Sequence, residues 1–145
     1  MEKDIQATAV SYKKRAILIQ GPPGVGKTSL ALQLIEKGAF LIGDDVVNIF
    51  IKNNKLYCKF KEKLKGIVEV RELGLVAGLK VSKAAPLLCV IRLHEKPSER
   101  LPKRKTISLL NKKIPVFDFY ACNRTEISVL YAIRTLMGKV ALLKE

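Results

Sequence analysis

The sequence predicts a single α/β domain: a mixed β-sheet with one helix behind a glycine-rich loop and a second helix at the C-terminus. Three observations predict it. The chain has 145 residues, which by length makes one domain over residues 1–145. Short runs rich in β-branched and aromatic residues recur along it, broken by brief polar turns. Apolar residues at helical spacing gather in two places, directly after Gly21-Pro22-Pro23-Gly24-Val25-Gly26-Lys27-Thr28 and near the end.

Residues 5–12 mix Ile, Val and Thr and predict one strand, turned by Lys13-Lys14-Arg15. Ala16-Ile17-Leu18-Ile19 is a short apolar run that ends near a glycine, as a buried strand feeding a loop does. From Thr28, Leu30, Ala31, Leu34 and Ile35 form a helical stripe that Gly38 closes. Ala39-Phe40-Leu41-Ile42 predicts the next strand and ends in Gly43-Asp44-Asp45. Residues 46–52 and 55–60 read as a hairpin around Asn53-Asn54, because asparagine tolerates positive φ. Further strands are expected at 67–71, 87–93, 106–110 and 114–120, with a loop over 97–105 and a turn at Lys112-Lys113. Ile127, Leu130, Tyr131, Ile133, Leu136 and Met137 predict a last helix, started by Asn123 or Thr125 and stopped by Gly138.

Apolar residues make up 48% and charged residues 28%, as in soluble globular proteins, and a chain this long buries roughly 70% of its unfolded surface. No stretch approaches the ~20 apolar residues that span a bilayer, and the start, Met1-Glu2-Lys3-Asp4, lacks the apolar run of a signal peptide. Cys58, Cys89 and Cys122 show no CxxC spacing and read as reduced core or near-core thiols in a cytoplasmic protein. The net charge of +14 invites an acidic partner. Its lysines are scattered, however, with no basic helix or RNP-like aromatic motif, so nucleic acid ranks last among partners.

The pattern G-x-x-x-x-G-K-[ST] carries the chemistry. A chance match in a chain of this composition is about a one-percent event, and here it falls between a predicted strand and a predicted helix, as its mechanics require. The glycines allow positive φ, so successive N–H groups can surround an anion. Pro22 and Pro23 have no N–H, which leaves donation to Gly24 through Thr28 at the helix N-terminus. Lys27 would reach the β- and γ-phosphates of ATP, and the Thr28 hydroxyl would ligate Mg²⁺. Gly21, Gly24, Val25, Gly26, Lys27 and Thr28 are thus the candidate nucleotide-binding residues. Mg²⁺ also takes hard carboxylate oxygens, and Asp44 and Asp45 end the strand after this helix. One would serve the metal or orient Lys27 and the other accept a substrate proton; sequence does not divide them. Glu69 and Arg71 stand at i and i+2 of a predicted strand, on one face, and would bring an acid and a guanidinium to the same site. His94 has no partner legible in the sequence and reads as structural or surface.

Nearly the whole chain resembles the catalytic (C-terminal) domain of the HPr kinase/phosphorylase family, in the shortened form that lacks the separate N-terminal domain. The resemblance rests on Ala7-Thr8-Ala9-Val10, the phosphate loop, Lys37-Gly38-Ala39-Phe40-Leu41-Ile42-Gly43-Asp44-Asp45, and Gly66-Ile67-Val68-Glu69-Val70-Arg71-Glu72-Leu73-Gly74. It implies an HPr kinase/PEP carboxykinase-like P-loop fold. It also implies a kinase using ATP and Mg²⁺ on a serine of the phosphocarrier protein HPr, reversal by inorganic phosphate, and a homo-oligomer, commonly a hexamer. By position, Lys27 would hold the β-phosphate, Arg71 would face phosphate, and Asp44 or Asp45 would be the general base. The metal would fall to Thr28, Glu69 and Asp45. Two positions depart from the family. Gln6 stands where a histidine is usual and does not titrate, and Glu72 stands where glycine is favoured. These departures motivate a second reading, an ATP-binding regulatory module without turnover. A small-molecule P-loop kinase is a third, against which the strand-rich continuation after Asp45 counts.

Overall fold

A computed structural model describes residues 1–61, 66–97, 105–122, 125–141 and 143. Its centre is β3 (Arg15–Gln20), which pairs antiparallel with β2 (Thr8–Tyr12) and parallel with β9 (Ala84–His94). β9 also pairs parallel with β11 (Lys112–Tyr120), and β10 (Lys105–Leu109) lies antiparallel beside β11. On the other flank β2 carries β4 (Phe40–Gly43). The first residues of β9 pair with β6 (Lys55–Phe60), and the sheet continues through β5 (Val46–Lys52) to β1 (Glu2–Gln6). β7 (Val68–Val70) and β8 (Gly74–Val76) form a separate hairpin. The mixed sheet, with α1 (Lys27–Glu36) and α2 (Thr125–Leu136), is the α/β architecture expected.

Period-2 alternation explains why the central strands are apolar on both faces. Ile17 and Ile19 of β3, with Cys89, Ile91 and Leu93 of β9, pack under Leu30, Leu34, Val129 and Ile133 of the two helices. Ala16, Leu18 and Val90 point the other way, into a second core closed by Val47, Ile49, Leu56 and Cys58 of the β5–β6 layer. Burial in these cores pushes the Cys58 and Cys89 thiols up to about 12. Cys122 is exposed, contrary to the expectation of a near-core thiol, because it lies in the turn into α2. Among the described residues no helix is long and apolar enough to cross a membrane.

Several boundaries differ from the sequence reading. The strand expected over 5–12 breaks at Ala7, whose N–H donates to the Asp45 carbonyl at 3.0 Å. Ile5 pairs with Val47 and Thr8 with Ile19, so the chain changes neighbours there and bends. β9 begins three residues before the expected strand because its first residues serve the β6 layer. Three two-residue turns hold both residues at positive φ: Lys13-Lys14, Asn53-Asn54 and Leu110-Asn111. The last replaces the turn expected at Lys112-Lys113, which instead pair with Leu109 and Ser108. Most of the expected 97–105 loop, and the Asn123 helix start, fall outside the described residues. Thr125 opens α2, its hydroxyl accepting from the Cys122 N–H at 2.8 Å and donating to the Tyr120 carbonyl at 2.9 Å.

His94 has a partner after all. Its Nε2 lies 2.6 Å from Asp118 Oδ1, and Lys105 Nζ lies 3.1 Å from Oδ2. Burial raises the Asp118 pKa, but the hydrogen bonds from His94 and Lys105 outweigh it and hold the carboxyl below its usual range.

Candidate functional site

The loop 21–28 leaves the carboxyl end of β3, between strands that run parallel, where α/β sheets gather their ligands. Residue 21 must be glycine: a Cβ there would stand 2.8 Å from the Leu93 carbonyl oxygen and 2.8 Å from Val25 Cγ1. Gly24 (φ 77°) and Gly26 (φ 112°) take the left-handed conformations that curl the loop. Gly26 is the N-cap of α1 and makes no side-chain capping bond, so no capping side chain competes for the first N–H groups of the helix. The Val25 N–H is used within the loop, donating to the Pro22 carbonyl at 3.3 Å. Of the five donors expected from sequence, Val25 is therefore turned aside.

Lys27 Nζ reaches back across the loop and donates to the Gly21 carbonyl at 2.7 Å and the Pro22 carbonyl at 3.4 Å. Thr28, one residue on, donates its hydroxyl to Asp44 Oδ1 at 2.9 Å. Asp44 is gripped from the other side by Thr8, whose Oγ1 lies 2.7 Å from the Asp44 carbonyl oxygen and 3.2 Å from Oδ1. That grip follows from the bend at Ala7, which delivers the buried Thr8 hydroxyl to the acidic pair. Asp44 is half-buried and Asp45 exposed, so the two adjacent acids have different surroundings.

Asp44, Asp45, Glu69 and Arg71 line one cleft of ≈ 980 Å³ with Lys27 and Thr28. The expectation that Glu69 and Arg71 share a strand is corrected in detail. β7 ends at Val70, and Arg71 opens a turn in which Glu72 sits at φ 68°. Both side chains still reach the cleft, and Arg71 Nη2 would lie 3.6 Å from a Cβ built on Gly24. Gln6 lines the cleft as well. Thr8 is the site residue that sequence reasoning missed; it stood within the Ala7-Thr8-Ala9-Val10 stretch, but nothing there tied its hydroxyl to the acidic pair. Among the described residues no three His, Cys, Asp or Glu side chains cluster to hold a metal by themselves.

The left-handed conformation at Glu72 carries a measurable consequence. A non-glycine residue there costs about 1–2 kcal/mol, of which glycine's greater chain entropy returns part. Glu72→Gly is expected to stabilise the fold by about 1 kcal/mol, raising Tm by about 3 °C in calorimetry. An unchanged or lower Tm would show that the Glu72 side chain makes compensating interactions.

Residues 2–118 match the family model described as HPr Serine kinase C-terminal domain. A protein of Mycoplasmopsis pulmonis named HPr kinase/phosphorylase is 42% identical over 77 residues, covering 53% of this chain and 25% of its own. One of the same name from Mycoplasma genitalium is 36% identical over 115 residues, covering 70% of this chain and 37% of its own. The chain thus spans between a quarter and two-fifths of the length of these relatives. A solved structure described as the Hpr(Ser) kinase/phosphatase from Coxiella burnetii superposes with a TM-score of 0.81, covering 94% of this chain and 97% of that one. At 22% identity that likeness concerns the fold.

Proposed function

The chain belongs to the HPr serine kinase C-terminal domain family, and from that membership and the cleft's geometry we propose that it is an ATP- and Mg²⁺-dependent kinase transferring phosphate to a serine of an HPr-type phosphocarrier protein. One observation carries the reading: the Thr28 hydroxyl bonded to Asp44 at the helix N-terminus, in a cleft shared with Lys27, Asp45, Glu69 and Arg71. A hydroxyl and carboxylates beside a ring of N–H donors are the donor set that a Mg-nucleotide takes, the remaining metal ligands being phosphate and water oxygens.

Each residue's part follows from its surroundings. The N–H groups of Gly24, Gly26, Lys27 and Thr28 hold the phosphates, while Gly21 lets the loop lie close against β9. Lys27 exchanges its two loop carbonyls for β- and γ-phosphate oxygens. Thr28 donates its hydrogen bond to Asp44, which would leave its oxygen lone pairs to hold the metal, and Glu69 would add a carboxylate. Mg²⁺ supplies charge neutralisation on the phosphates when bound. Asp44 orients Thr28, and Asp45, the more exposed of the two acids in the cleft, accepts the proton of the serine hydroxyl. Sequence placed Asp45 on the metal as well, and the proposal moves it to the serine side. Arg71, beside Gly24, offsets charge on the transferring group. Reversal by inorganic phosphate would use the same groups, with Gln6 hydrogen-bonding the phosphate without titrating. A homo-oligomer, a hexamer by resemblance, and a cytoplasmic setting complete the proposal.

The reading as a binding module without turnover draws on Gln6 in the cleft and on Glu72 in a glycine's conformation. ATP turnover separates the two. A kinase consumes ATP in step with an HPr-type protein and forms acid-stable phosphoserine, and an HPr variant with alanine for the acceptor serine stops both. Nucleotide binding with no HPr-dependent turnover would sink the kinase reading.

A further inference from the structure

The hairpin of β5 and β6 turns one of its faces away from the core. Val47, Ile49, Leu56 and Cys58 point into the second core, so by period 2 the other face carries Asn48, Phe50 and Lys52 on β5 and Lys55, Tyr57 and Lys59 on β6. The register sets these six residues in three facing pairs: Lys52 opposite Lys55, Phe50 opposite Tyr57, and Asn48 opposite Lys59. The two rings stack, with centroids 5.5 Å apart and planes at 22°, and Lys59 Nζ stands 5.0 Å from the Phe50 centroid. Both rings are half-buried, and neither belongs to either core. Lys52 and Lys55 are exposed, and like charges directly opposite on a sheet destabilise the pairing unless an anion lies between them. Lys112 brings a further cation to the turn, donating to Asn54 Oδ1 at 2.6 Å. Of the acids on the neighbouring β1, Asp4 is taken up by Asn48 at 2.8 Å and Lys61 at 3.5 Å, and Glu2 lies beyond Phe50 at the sheet edge.

We infer that this face binds single-stranded RNA. Its residues do not line the cleft, so the inference is independent of the kinase reading. Aromatic rings between lysines give a base a π-face to stack on and its phosphates a cation to pair with. Single-stranded RNA offers unstacked bases, whereas a duplex holds its bases inside and would present only phosphates to the lysines. A membrane surface would call for apolar side chains at the tip of the hairpin, where Asn53 and Asn54 stand. A second copy of this chain, at net charge +14, would set like charge against like. Along the sequence these lysines look scattered, because the rings and cations come from two strands and meet only through the register.

The test is fluorescence anisotropy of a labelled oligouridylate of about 12 nucleotides, within the span one such sheet face covers, titrated with the full chain. The native chain should bind with Kd on the order of 10 µM near physiological salt. Lys52→Gln combined with Lys55→Gln should flatten the slope of log K against log salt by about 1.4, two phosphate contacts' worth for a single strand. Tyr57→Leu, which keeps an apolar side chain on the strand, should weaken binding at least about fivefold, the lower end for losing one stacked base. Tyr57→Phe keeps the ring and should bind like the native chain. Absence of binding would overturn the inference. So would a loss confined to the lysine variant with Tyr57→Leu unaffected, or binding of an RNA duplex of the same length as tightly as the single strand, since either describes a basic surface without stacking. Adsorption to phosphatidylserine vesicles in place of the oligonucleotide would overturn it in favour of a membrane surface.

Discussion

Replacing Lys27 with alanine is expected to lower kcat/KM for phosphoryl transfer by a factor on the order of 10³, the scale of losing one preorganised charged donor at the transferring group. In the structure the ammonium already spans the loop, held by the Gly21 and Pro22 carbonyls. Moving from those carbonyls to phosphate oxygens requires a change of partner and no rebuilding of the backbone. One of the two carbonyl bonds is exposed and the other only part-buried, so the fold itself loses little, and Tm should stay within about 2 °C. Lys27→Arg should recover only a small part of the rate, since a planar fork does not replace a point charge in a loop this tight. Steady-state kinetics with an HPr-type protein checks the effect, and a loss below about tenfold would remove Lys27 from the chemistry.

The second large effect separates the two aspartates. Asp45→Asn is expected to lower kcat by about 10²–10⁴, the range for losing a general base, while KM for ATP changes little. Asp44→Asn retains a carbonyl oxygen to accept from Thr28 but loses the charge behind it. That variant should need about tenfold more Mg²⁺ for half-maximal rate, with a smaller loss of kcat at saturating metal, as for a group that orients a metal ligand. Magnesium titrations of both variants decide the matter. If the metal requirement moved with Asp45 and kcat collapsed with Asp44, the two roles would have to be exchanged.

The phosphate loop, α1 and the Asn53-Asn54 hairpin were legible in the sequence because each is specified locally, by glycine spacing, helical periodicity and turn residues. The acidic pair was legible as a pair but not as two different carboxylates. Their difference comes from Thr8 and Thr28, one arriving 36 residues and the other 16 residues before Asp44. The break at Ala7 carries no glycine or proline. It exists because residues on either side of it pair with different strands, a tertiary fact that propensity does not encode. β9 was read too short for the same reason, its opening residues answering to β6 and its later ones to β3 and β11. The turn before β11 was placed two residues late because a lysine pair looked more turn-like than Leu110-Asn111, where the asparagine accepts the left-handed conformation. Arg71 reached the cleft by a route the sequence did not show, from a turn and not from a strand.

The measurement that bears most directly on the central claim is the intact mass of an HPr-type protein after incubation with this chain and Mg-ATP, with Lys27→Ala run alongside. The predicted result is one added phosphate, located on serine and absent with the Lys27→Ala chain. An unmodified HPr, in a sample where the native chain demonstrably binds ATP, would contradict the account.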